Sequence, residues 1–143
     1  MQIFYSNSYI ETEKIAQDFS KTLKKGSVIA FFGGLGMGKT TFIRGLCKGL
    51  MIDAEVSSPT FSLVNEYRGK ENSLFHFDMY RISSWDDLYS TGFFDYLDEN
   101  ELIAVEWSEN IENALPKDTV RIVIEKCDDE NSRKIIIFDG EDK

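Results

Sequence analysis

Gly33-Gly34-Leu35-Gly36-Met37-Gly38-Lys39-Thr40 follows the apolar run Val28-Ile29-Ala30-Phe31-Phe32 and precedes residues 41–50, which read as a helix. The octet fits G-x-x-x-x-G-K-[ST], and strand, glycine loop, helix is the context in which that pattern has physical meaning. Glycines let the backbone aim successive N–H groups at phosphate oxygens. Lys39 is then expected to reach the β and γ phosphates, staying solvated until it does so. The Thr40 hydroxyl is expected to ligate Mg²⁺, with the helix dipole favouring the anion.

Outward from the loop, 143 residues with 42% hydrophobic content suffice for one sizeable core, so a single domain over 1–143 is expected. No apolar run approaches the length of a bilayer span, and Met1-Gln2-Ile3-Phe4-Tyr5-Ser6-Asn7 lacks the charged and apolar regions of a signal peptide. These features predict a cytoplasmic protein without a membrane partner. Cys47 and Cys127 fit neither metal spacing nor a disulfide framework and read as reduced thiols. With 25 acids against 16 bases, the net charge of -9 opposes unaided binding to a nucleic-acid backbone. The basic cluster Lys21, Lys24, Lys25 is accounted for by a helix C-terminus.

Ser8-Tyr9-Ile10-Glu11 has capping-box spacing, and Ile15, Ala16, Phe19 and Leu23 follow at helical intervals, predicting a helix over residues 9–24 that Gly26 ends. Ser57-Ser58-Pro59-Thr60 breaks the chain before a strand at 61–67, a polar turn and a second strand at 74–80. Short helices are expected around Trp85, Leu88 and Tyr89 and over 93–97, with a further apolar strand at 102–107. Residues 120–125 and 133–138 flank the polar segment 128–132 as a C-terminal hairpin. The expected fold is α/β: a P-loop NTPase-like three-layer sandwich with a central, mostly parallel sheet and a C-terminal hairpin.

Leu74-Phe75-His76-Phe77-Asp78 and Leu102-Ile103-Ala104-Val105-Glu106 are apolar strands that end in an acid. Acids at the carboxyl ends of parallel strands project into the crevice where the phosphate loop opens, and both can share one magnesium. Each can also be an ordinary strand-end charge. His76, the only histidine, reads first as a satisfied structural residue and second as an acid or base.

The glycine loop, Ser58-Pro59-Thr60-Phe61, His76-Phe77-Asp78-Met79-Tyr80-Arg81 and Val105-Glu106-Trp107 occur in an order and spacing that resembles the TsaE (YjeE) family of small bacterial P-loop ATPases. The likeness runs from Glu11-Thr12 to Arg133. It implies an ATPase, with ATP and Mg²⁺ as cofactors, in the threonylcarbamoyl modification of adenosine next to the anticodon of tRNAs reading codons that begin with A. In that family the ATPase docks on the heterodimer of TsaB and TsaD, the latter transferring the threonylcarbamoyl group, and hydrolysis resets the assembly. Contact with tRNA is then indirect, through the complex.

Carried over by position, the resemblance implies phosphate binding by Gly36, Met37, Gly38, Lys39, Thr40 and Thr41, and metal binding by Thr40 and Glu106. Lys39, Asp78 and Glu106 become the catalytic set, with Asp78 a second metal-shell or catalytic acid. Thr60 resembles part of a nucleotide-sensing switch, and Glu11 and Arg133 resemble positions near the base or ribose. Trp107 resembles a residue beside the nucleotide, with core packing the equal alternative. Tyr80 and Arg81 either report nucleotide state to the partner or pack locally. Gly34 stands where the family usually carries an acid, Met37 where it carries alanine, and Ser108 where it carries proline.

Rival functions are set by what the chain lacks. A small P-loop kinase needs an acceptor pocket and a cationic lid, for which there is no arginine-rich segment, and a GTP switch needs Asn-Lys-x-Asp, which is absent. Adenine is favoured by default. A nucleotide-dependent binding module with incidental hydrolysis is the stronger alternative.

Overall fold

The computed structural model describes residues 1–33, 38–59 and 63–140. Gly34, Gly36, Met37 and Thr60 lie outside the described residues. Seven strands form one sheet: β1 (Gln2–Ser6), β2 (Val28–Phe32), β3 (Val64–Arg68), β4 (Ser73–Asp78), β5 (Leu102–Glu106), β6 (Val120–Lys126) and β7 (Arg133–Phe138). Their spatial order is β1-β7-β6-β2-β5-β4-β3. The pairs β6–β2, β2–β5 and β5–β4 are parallel, and the pairs at both edges are antiparallel. β1, β2, β4, β5 and β6 therefore point one way, and the sheet is mostly parallel with antiparallel rims.

Helices α1 (Tyr9–Ser20) and α2 (Lys39–Gly49) cover one face, where Phe42, Ile43, Leu46 and Ala16 meet Ile29, Phe31, Ala104 and Ile122. On the other face α3 (Trp85–Ser90), α4 (Phe93–Leu97) and a 3₁₀ stretch (Ser108–Ala114) pack over Phe75, Phe77, Ile103 and Val105. This gives the three layers expected. Strand alternation explains the division, since residues 74, 76 and 78 face the first layer and 75 and 77 the second. Helices α1 and α2 pack closely because a side chain at Gly45 or Gly49 would collide with the Glu13 carbonyl or the Ser20 hydroxyl.

Several bounds differ from the sequence expectations, each for a local reason. β1 was not expected; it is an edge strand whose outward residues Ile3 and Tyr5 are exposed apolar groups, so the usual polar alternation is missing. α1 ends at Ser20, because Thr22 and Leu23 turn back through tight bonds to the Phe19 and Ser20 carbonyls. Leu23 still packs against the core from outside the helix. Gly26 does not end the helix but serves the next turn at φ 87°. β4 stops at Asp78 because its carboxylate accepts the Tyr80 N–H at 2.9 Å. β5 stops at Glu106 because Trp107 adopts a left-handed backbone at φ 58°. α2 begins at Lys39, two residues early, directly after Gly38 at φ 97°. β3 is described from Val64, after Leu63 at φ 68°, and residues 61 and 62 of the expected strand lie outside the described residues. The hairpin is as expected, with Ile124 opposite Ile135, and its first strand also docks in parallel on β2.

Candidate functional site

Helix starts distinguish α2 from its neighbours. α1 is capped by Ser8, whose hydroxyl accepts the Glu11 N–H, and α3 by Ser84, which accepts from Asp87. Both carry acids in the first turn, as does α4 with Asp95. Among the described residues α2 has neither a capping side chain nor a first-turn acid. Its N-cap is Gly38 at φ 97°, a conformation that strains any residue with a Cβ. The N-terminal amides and the positive end of the dipole are thus left for an external anion.

A cavity of about 420 Å³ opens at this point. Gly38, Lys39, Thr40 and Thr41 form its floor, Ser58 and Glu106 one wall, and Tyr9, Thr12, Glu130, Asn131 and Arg133 the other. The carboxyl ends of β2, β4 and β5 converge here, because Asp78 is the register partner of Glu106 across the β4–β5 pair.

Lys39 is 4% exposed, which corrects the expectation of a solvated lysine. Its Nζ donates to the Gly33 carbonyl at 3.1 Å, lies 4.0 Å from Glu106 Oε1 and sits 4.9 Å from the Trp107 ring centroid. The ammonium rests between a carboxylate and an indole face. Trp107 reaches this place through its left-handed backbone, and its other neighbour is the exposed Tyr80 ring at 4.9 Å.

Glu106 is the hub. It is 5% exposed; Oε1 faces Lys39, and Oε2 takes His76 Nε2 at 2.6 Å and the Ser58 hydroxyl at 3.5 Å. The same hydroxyl lies 3.4 Å from Asp78 Oδ2, so its single hydrogen has either acid as acceptor. Asp78 is buried and commits Oδ1 to its own turn, and it does not line the cavity. His76 is fully buried, with Nδ1 3.1 Å from the Tyr67 hydroxyl. Burial is the main cause holding the Tyr67 phenol above its ordinary pKa, with opposing contributions from its hydrogen bonds to Asn65 and Ser57.

Among the described residues no group of three or more His, Cys, Asp or Glu is placed to hold a metal by itself. The donor set present, one buried carboxylate beside a loop hydroxyl, suits Mg²⁺, which takes one or two protein oxygens and fills its shell with phosphates and water. The uncapped α2 terminus and the buried Lys39 suit the phosphates themselves.

Of the remaining sequence candidates, Arg133 lines the cavity with its guanidinium held by the Glu130 and Ser132 carbonyls. Glu11 does not line it; its carboxylate accepts the Asn7 N–H at 3.2 Å, one residue before the Ser8 cap. Arg81 is exposed beside Tyr80 on the rim after β4. Sequence reasoning passed over Tyr9, Thr12, Glu130, Asn131 and Ser58 as lining residues, and Tyr67 and His76 as partners of Glu106. Ser58, His76, Tyr9 and Thr12 stood in quoted segments, but none was singled out there as lining the site.

Comparison with known proteins agrees in extent. Residues 6–135 match the family model described as threonylcarbamoyl adenosine biosynthesis protein TsaE. The chain is 40% identical over 130 residues to the tRNA threonylcarbamoyladenosine biosynthesis protein TsaE of Aquifex aeolicus, covering 90% of this chain and 89% of the relative. It is 38% identical over 120 residues to the protein of that name from Bacillus subtilis, covering 84% and 75%. It also resembles the crystal structure of YdiB from Bacillus subtilis, at a TM-score of 0.77 and 32% identity, over 94% of this chain and 82% of that one. No helix among the described residues is long and apolar enough to cross a membrane.

Proposed function

The chain belongs to the TsaE family, and we propose that it is the Mg-ATP-binding and hydrolysing component of tRNA threonylcarbamoyladenosine biosynthesis, acting on a TsaB–TsaD heterodimer. The observation that carries the reading is the uncapped, acid-free N-terminus of α2, opening into one cavity with buried Lys39 and Glu106. Family membership supplies the pathway, and the site supplies the chemistry.

In this reading the amides of residues 38–41 and Lys39 cradle the β and γ phosphates. Lys39 would meet the phosphate oxygens, and Glu106 with the Thr40 hydroxyl would hold Mg²⁺. Magnesium held there would supply charge neutralisation for the phosphates. Asp78 sits beside Glu106 across the β4–β5 pair and serves the turn that follows β4. Tyr9, Thr12 and the 130–133 turn face the base and ribose. Tyr80 and Arg81, exposed where β4 ends, are the candidates for reporting the phosphate state to the heterodimer. The acidic surface, with a net charge of -9, leaves tRNA to be held by the partners.

The alternative, a binding module whose hydrolysis is incidental, is separated by one experiment. Repeated rounds of tRNA modification are measured with ATP and with an analogue that cannot be hydrolysed. Turnover stopping after one round with the analogue supports hydrolysis as the working step, and undiminished turnover supports the binding module.

A further inference from the structure

A carboxylate that is to take magnesium needs one fixed orientation. Oε1 of Glu106 faces Lys39 at 4.0 Å, whereas Oε2 is held by His76 Nε2 at 2.6 Å. A carboxylate only accepts, so Nε2 carries the hydrogen. The other ring nitrogen meets the Tyr67 hydroxyl at 3.1 Å, and that phenol oxygen receives the Ser57 N–H at 3.2 Å. The single phenol hydrogen has two acceptors within reach, His76 Nδ1 and the Ser57 carbonyl at 2.9 Å. When it points to Nδ1, every donor runs in one direction from the Ser57 amide to Glu106, an arrangement in which each bond polarises the next.

We propose that Tyr67 and His76 are positioning residues for Glu106, holding its carboxylate in the orientation that takes magnesium and tying it to residues 57–59, an inference that rests on the Mg-ATP reading above. The imidazole is fully buried and both its nitrogens are engaged along this line, so it does not merely fill space on the core face of β4. Ser58, in the tethered segment, touches Glu106 directly, so the carboxylate is linked to this segment both through the relay and through the Ser58 hydroxyl. Partners that orient a metal ligand typically change metal affinity or activity by roughly 10- to 100-fold when removed.

The test is ATP binding by calorimetry, with and without Mg²⁺, for wild type, Tyr67→Phe, His76→Leu and His76→Gln, with an NMR measurement on the nucleotide-free protein. The Mg²⁺-dependent gain in ATP affinity should fall about tenfold or more in His76→Leu. It should fall about threefold in Tyr67→Phe, which loses one hydrogen bond, and recover toward wild type in His76→Gln, whose amide can still donate to Glu106. Mg²⁺-free affinity should stay within about twofold throughout, as a general loss of structure would not allow. Without nucleotide, the His76 Nε2–H proton should be visible in wild type and should move in Tyr67→Phe. Should His76→Leu fail to fold, Tyr67→Phe decides, since it keeps the ring. A wild-type gain retained in full by folded Tyr67→Phe and His76→Leu, or lost equally with and without Mg²⁺, overturns the positioning role. A wild type with no Mg²⁺-dependent gain overturns instead the reading of the site.

Discussion

Replacing Lys39 with methionine probes its pairing with Glu106. The ammonium lies 4.0 Å from Glu106 Oε1, with side chains 4% and 7% exposed. At an effective dielectric of 20, charges at that separation attract by about 4 kcal/mol. Desolvation of both partners opposes this, so the expected coupling is about 1–3 kcal/mol. Lys39→Met should therefore lower the stability of the nucleotide-free protein by about that amount, because Glu106 stays buried without its cation. Glu106→Gln removes the charge, and in that background Lys39→Met should cost less. Urea denaturation of the four proteins of the cycle measures the difference. Additivity within about 0.5 kcal/mol would refute the claim that the two groups form a working pair.

Glu106→Ala should remove most of the Mg²⁺-dependent gain in ATP affinity, whereas Asp78→Ala, whose carboxylate serves a turn, should chiefly cost stability by about 1 kcal/mol; calorimetry and urea melts separate them. Phe77→Ala should cost about 3–5 kcal/mol in urea denaturation, because the ring is fully buried and packs edge-on against Phe93 and Tyr96. Burial pushes the Cys47 thiol from 9.0 up to about 12, so a thiol reagent at pH 8 should label Cys127 but not Cys47 until the protein unfolds. The unfolded thiol ionises first, so this group's contribution is intact below pH 9.0 and is lost as pH rises toward about 12, where stability should fall.

Legibility in the sequence followed the range of the forces involved. The strand, glycine loop and helix at 28–50 were readable because periodicity and backbone freedom are local properties. The placement of Asp78 beside Glu106 was readable too, since two parallel strands of similar length that each end in an acid come into register. β1 was not, because Ile3 and Tyr5 put apolar groups on its exposed side. The burial of Lys39 was hidden because it depends on the left-handed backbone of Trp107, a residue 68 positions away. Glu11 had two readings; its amide takes the Ser8 cap as its spacing suggests, while its carboxylate reaches one residue past the cap to the Asn7 N–H. The contribution of Glu130 and Asn131 to the cavity wall comes from the antiparallel return of the hairpin beside α1, a tertiary placement that composition does not encode. The same holds for Tyr67 and His76, whose meeting needs the β3–β4 pairing.

The central claim is tested most directly by steady-state ATP hydrolysis with the protein alone, with tRNA, with the TsaB–TsaD heterodimer, and with both. On the proposed reading, the protein should hydrolyse ATP slowly alone, gain nothing from bare tRNA, and accelerate when the heterodimer is present. Full stimulation by bare tRNA, or no hydrolysis under any of the four conditions, would contradict the account.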